Sequence, residues 1–174
     1  MSDYSKRPQA IILDLIKDFN PAAASLTEEL LSWGLPTIHA GELPRNTDLT
    51  ITAAEGSGYS GEVTLNYNRV NLGAFPGADA ISLPIGNASN VSELLGELNA
   101  ALGVNIEPGD IVDGEIPAFP GEAPNETVQV TLTFSADNLV FQGSYTFTVE
   151  ANDIPLNTVI TTTELDGLEV PAGT

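Results

Sequence analysis

The chain has 174 residues, with 24 Asp and Glu against 5 Lys and Arg, one His and no Cys, for a formal charge of −19. That length suits one domain with or without an arm, and 42% apolar residues can fill a core, so the charge does not imply wholesale disorder. The absence of Cys removes disulfides, thiolate metal sites and Cys nucleophiles, and a single His removes any multi-His metal site.

The charge is uneven. All five cations lie in the first 69 residues beside nine acids, whereas residues 70–174 hold fifteen acids and no Lys or Arg. Nucleic-acid binding needs cations that displace counterions from phosphates, and anionic membrane surfaces need the same sign, so neither partner is expected. No apolar run approaches the roughly 18 residues of a membrane span. Ala10–Ile16 is interrupted by Asp14 and followed by Lys17 and Asp18, which does not read as a secretory segment.

In chain order, Pro8 suits a first helical turn, and Ile12, Leu15, Ile16 and Phe19 recur at helical spacing before Asn20-Pro21 stops the run. This predicts a helix over 8–19. Ser25-Leu26-Thr27-Glu28 matches a capping box, but Gly34 and Pro36 leave little room beyond it. One short turn or a strand around Leu31–Ile38 fits there.

The period then becomes two. Leu49, Ile51 and Ala53 alternate with polar neighbours, as do Val63, Leu65 and Tyr67, and Ile81, Leu83 and Ile85 form a short third run. Each suits a strand with one buried and one wet face, as in antiparallel sheets. The apolar phase changes between Tyr67 and Val70, which predicts a bulge or bend near Asn68-Arg69.

Asn90-x-x-Glu93 is a capping-box variant, Val91, Leu94, Leu95, Leu98 and Leu102 form one stripe, and Gly103 suits a left-handed stop. A second helix is therefore expected over 90–102. The Pro- and Gly-rich stretch from Asn105 to Pro124 reads as a long connection. Val128–Phe134 and Ser144–Val149 complete the alternating runs. They echo the earlier pair, each reading strand, connection, aromatic-x-Gly, strand, which suggests two hairpins, one on each sheet of a sandwich. The expected fold is α+β, mainly β, with an antiparallel sandwich-like core, an N-terminal helix and one central helix. Residues 1–150 form the domain. Residues 151–174, rich in Ile, Val and Thr over Ile154–Thr163, form an extended segment that is either a last strand or an arm onto a neighbouring subunit.

Candidate chemistry is sparse. His39 lacks a G-x-S-x-G elbow to serve. Asp110, Asp113 and Glu115 lack the full calcium-loop spacing and read as a solvated loop. Gly56-x-Gly58-x-x-Gly61 matches a dinucleotide string but precedes a strand, not the helix that would receive a pyrophosphate. Arg45 and Arg69 are expected to pair with carboxylates and fix strand ends. No cofactor or metal is expected. Trp33 and Tyr59 read as core or interface anchors, or as a platform for a host glycan.

Four stretches taken together resemble a recurrent domain in structural proteins of large tailed bacteriophages, sometimes present there in tandem. They are Arg7-Pro8 with Leu13–Ile16 and Asn20-Pro21; Arg45–Ala54 with Gly56–Gly61; Tyr67–Leu72; and Leu94–Leu98 with Asn99-Ala100 and Gly103. The resemblance covers about residues 5–149. It implies a non-enzymatic virion component of the tail, baseplate or capsid exterior, made in the host cytoplasm and contacting other virion proteins and copies of itself. It carries no catalytic or ligand residues. The expected partner contacts are Ile12, Ile16, Phe19 and Trp33, with Ile154, Leu156, Val159 and Leu168 in the terminal segment. A host-glycan-binding accessory module is the alternative.

Overall fold

The structure, a computed structural model, describes residues 2–42, 44–121 and 126–151. Helix α1 spans Pro8–Phe19, with Pro8 in its first turn and Lys17 in its last. Asn20 ends it: both its backbone N–H and its side-chain amide donate to the Ile16 carbonyl, and Pro21 follows. Burial is not uniform along the helix. Ile11, Ile12 and Leu13 are buried, Leu15 and Ile16 are half-buried, and Phe19 is 83% exposed.

After short 3-10 turns come β1 (Leu31–Trp33), β2 (Thr37–Ile38), β3 (Thr47–Ala53) and β4 (Glu62–Tyr67). The region between residues 25 and 38 thus resolves as a turn followed by two short strands. β1 and β2 both pair antiparallel with β3, at residues 51–53 and 47–48, and β4 pairs with β3 over residues 47–52. β1 and β2 therefore act as one interrupted strand bent at Gly34. The Gly34 N–H donates to the Thr50 carbonyl, and a Cβ at Gly34 would lie 2.6 Å from that oxygen, so only glycine permits the approach. The β3–β4 connection contains Gly56, Gly58 and Gly61, all at positive φ, which makes that glycine string a turn leading into a strand.

The second sheet has the order β5-β8-β7-β6, with β5 Ser82–Pro84, β6 Ile111–Val112, β7 Thr127–Phe134 and β8 Ser144–Glu150. β7 and β8 form a long antiparallel hairpin, so the two echoed hairpins do occupy different sheets. β5 differs from expectation: it pairs with β8 in parallel. The 59 residues of intervening chain permit that crossover, and strand periodicity carries no information about direction. The stretch 105–124 also holds more order than a bare connection, since β6 pairs there with the end of β7.

Helix α2 spans Leu95–Leu102, preceded by a 3-10 turn at Val91–Leu94, so the expected single helix over 90–102 begins with a tighter turn. Carboxylates hold its free N–H groups: Glu93 accepts from Ser89 and Asn90, and Asp113 accepts from the backbone and hydroxyl of Ser92. Gly103 stops the helix in the left-handed region at φ 65°. The Asn99 side chain then bonds both the N–H and the carbonyl of Ile106, tying the helix to the returning chain.

One hydrophobic cluster takes Leu49 and Ile51 from the first sheet and Val130, Leu132, Phe147 and Val149 from the second, with α1 and α2 contributing Ile12 and Leu98. Between the sheets runs the segment 67–70. The Tyr67 hydroxyl donates to the Leu139 carbonyl at 2.6 Å. Arg69 donates from Nε to Thr47 Oγ1 and from Nη1 to the carbonyls of Ala136 and Asn138. Val70 bridges to the connection between β7 and β8, its N–H bonded to the Val140 carbonyl and its own carbonyl accepting from Gln142. The change of apolar phase after Tyr67 is therefore the chain leaving one sheet for the other, a bend and not a bulge. Arg69 meets carbonyls and a hydroxyl in place of the expected carboxylate, and Arg45 bonds the Pro44 carbonyl.

The carboxylates that hold the helical N–H groups give the fold an acid limit. The backbone bonds from Ser89 and Asn90 hold Glu93 below its ordinary value of 4.5, and the Ser92 hydroxyl and N–H hold Asp113 below 3.8. A folded-state value below the unfolded one contributes stability above the ordinary value and loses it as pH falls through the folded one. Urea unfolding of Glu93→Gln should show a weaker loss of stability below pH 4.5 than wild type; an identical acid limb would contradict this assignment.

Candidate functional site

Three features could carry function: the buried imidazole, the aromatic pair, and a groove beside α1. His39 follows β2, its ring largely buried, with Nδ1 2.6 Å from Asp48 Oδ1. Asp48 also accepts from the Asn66 amide at 2.6 Å. This is how a carboxylate orients a general base, but the other ring nitrogen is not open to a substrate. Nε2 is buried without a hydrogen-bond partner, and Gly41 lies so close that a Cβ there would be 2.5 Å from it. The arrangement anchors the chain between β2 and β3. Among the described residues, no group of three or more His, Cys, Asp or Glu could hold a metal. Asp110 accepts from the Glu107 N–H, and burial pushes its carboxyl above the ordinary value.

Trp33 is half-buried on β1, opposite Ile51 and packed on the core cluster, so its ring faces inward. Tyr59 lies in the β3–β4 connection, about half exposed, with its hydroxyl 3.1 Å from Ser25 Oγ. The two aromatics thus have separate settings.

A groove of about 570 Å³ lies between α1 and β4. Ile12, Leu15, Ile16 and Phe19 form its helical wall; Leu65 and Tyr67 form the strand wall, with Arg45 at its rim. Ser2, Asn20, Asn66 and Asn68 make the lining mixed, and register explains the apolar part of the strand wall. Val63, Leu65 and Tyr67 oppose Ile51, Leu49 and Thr47, so they share the inward face of the sheet. That face is incompletely covered: Val63 is 52% exposed although it opposes a buried Ile51. The alternating pattern predicts burial of this face of the strand, and its position at the sheet's edge leaves that face partly open. Tyr67 is held firmly, because burial pushes its hydroxyl up to about 12 and keeps it a donor to Leu139.

Three of the expected contact residues thus meet at one place, in different roles. Ile12 belongs to the buried core and floors the groove, Ile16 is half-buried, and Phe19 stands on the rim. Trp33 is not among the lining residues. Ile154, Leu156, Val159 and Leu168 lie outside the described residues. Sequence reasoning did not single out Leu65, Tyr67 or Arg45; the phase change just after Tyr67 was the available signal.

The model of a family of unknown function, DUF7941, matches residues 1–174. The chain belongs to that family. No curated protein and no solved structure matches it. For this DUF7941 chain, the match spans the sheets and the terminal segment alike.

Burial separates the two ends of the helical wall. Ile12→Ala should destabilise the fold by about 2–5 kcal/mol through the cavity it leaves. Phe19→Ser should change stability by less than about 0.5 kcal/mol, as expected of a largely exposed position. Urea midpoints of the two variants check this, and equal losses would mean that Phe19 is part of the core.

Proposed function

We propose that this chain is a non-enzymatic virion structural protein of a large tailed bacteriophage, placed in the tail, baseplate or capsid exterior. It acts through packing against other virion proteins and copies of itself, and assembles onto the particle in the host cytoplasm. The observation that carries this reading is the exposed apolar surface of Phe19 and Val63 beside a groove of mixed lining whose charged residue is Arg45, in a chain of charge −19. A strongly charged surface discourages indiscriminate association, so exposed apolar side chains in a nearly uncharged setting mark a place for a specific neighbour. The resemblance noted above touches the same place: Arg45, Tyr67 and Asn68 of its stretches line this groove.

Other features are consistent with a docking role. The free nitrogen of His39 is covered by Gly41, which disfavours acid–base work at that residue. Residues 70–174 carry no cation to meet a phosphate backbone. No helix among the described residues is long and apolar enough to cross a membrane. The inward setting of Trp33 gives the glycan alternative no specific support.

Mass spectrometry of particles purified from the infection that makes this chain tests the reading. The chain should be present in many copies per particle and remain after washing at high salt. Its absence from intact particles would overturn the proposal.

A further inference from the structure

The edge of the first sheet has a feature that natural strands usually avoid. Among the described residues, β4 pairs with β3 on one side only, and no described strand pairs with its other side. Exposed edges are commonly protected by Pro, Lys, a bulge or a covering loop. Glu62–Tyr67 contains no Pro, Lys or Arg, and Glu62 is its one charge. Beside this edge lie Val63, half open to solvent, and the groove lined by Leu65, Ile16 and Phe19. An added strand would complete the backbone ladder and set alternate side chains over the groove. The edge strand β5 of the other sheet is less suitable, being three residues long and ending in Pro84.

The sequence outside the described residues contains a segment of matching chemistry. Ile154–Thr163, Ile-Pro-Leu-Asn-Thr-Val-Ile-Thr-Thr-Thr, has no charged residue in a chain carrying 29 of them. It is dominated by β-branched residues, which favour extended pairing, and its one Pro is at the second position. At about 3.3 Å per residue, ten residues reach about 33 Å, more than enough to run along the six residues of β4. Charge then limits what copies of this chain can use to meet one another. Two bodies each of −19 repel, and contact is least opposed where both surfaces are neutral. Residues 154–163, with no charge, and the edge of β4, with Glu62 alone, come near that condition.

We propose that residues 154–163 of one copy add as a strand to the open edge of β4 on a second copy, over the groove beside α1. This rests on the reading of the chain as a protein that works by subunit packing, and it names the surface and the occupant. The link would be head-to-tail, because the donated segment and the accepting edge are different surfaces. Each copy would then both give and receive a strand, which builds rings or open arrays.

The absence of native Cys allows a direct test with the full-length chain. Thr64→Cys marks the middle of β4 on its solvent face. Ile160→Cys and Thr161→Cys mark adjacent positions of the terminal segment, so one of them shares the Thr64 face whatever the register. Ser82→Cys on β5 serves as the control edge, and circular dichroism confirms that each variant is folded. Separately purified Thr64→Cys and terminal-segment variants are mixed at high concentration and treated with a short bis-maleimide. A cross-linked heterodimer is expected with Thr64→Cys, at least tenfold above the yield with Ser82→Cys. No heterodimer, or equal yield at both edges, would overturn the proposal. So would cross-linking confined within single chains when both positions are on one polypeptide. These outcomes are read on the purified chain, so a failure here leaves the particle measurement to judge the broader reading separately.

Discussion

The passage of the chain from one sheet to the other at Tyr67–Val70 is the constraint on which the remaining structure depends. Leu49 and Ile51 are sealed only because the second sheet and the two helices supply the rest of one cluster. The crossing segment fixes how the sheets meet. It does so with directional bonds: Tyr67 to Leu139, Arg69 to Thr47, Ala136 and Asn138, and Val70 to Val140 and Gln142. A guanidinium suits this position because its planar donors reach several acceptors at once, which an ammonium does not match in fixed geometry. On the receiving side, the Asn138 side chain accepts from the N–H groups of Val140 and Phe141, holding the turn that meets Arg69. Phe141 then stacks on Phe134 and lies near Tyr4 and Phe75, so the same turn also seats an aromatic cluster.

Much of this fold is legible in the amino-acid order, and the exceptions have physical causes. α1 occupies the expected 8–19, because Pro8 and Asn20-Pro21 act through local backbone geometry that neighbours do not alter. The alternating runs likewise mark β3, β4, β7 and β8 nearly to the residue. What alternation cannot reveal is direction or depth. It does not distinguish the parallel pairing of β5 from an antiparallel one, and it assigns Val63 the same burial as Ile51, although only one has a covering layer. Arg69 misled for a related reason. Composition suggests a carboxylate partner in so acidic a chain, yet the half-buried crossing offers carbonyls, and the guanidinium bonds those.

The candidate site was half visible. Ile12, Ile16 and Phe19 follow from the helical stripe, but only tertiary placement shows that the stripe tilts from buried to exposed along its length. The opposing wall comes from β4, a strand whose sequence is indistinguishable from a covered one. The groove thus arises from mismatch: a helix and an edge strand each bring more apolar surface than their contact conceals. In a chain whose last 105 residues carry no cation, such neutral surface stands out against a repulsive background. That contrast underlies the view of the molecule as a subunit that recognises a neighbour.

Native-state hydrogen exchange tests the central structural claim most directly, because it reports whether the two sheets open together. If the crossing segment and the shared cluster make them one cooperative unit, the slowest amides of β3 and those of β7 and β8 will exchange with a common opening free energy. Amides of β3 that exchange through a distinctly smaller opening, while β7 and β8 stay protected, would show that the sheets are separate units and contradict the account.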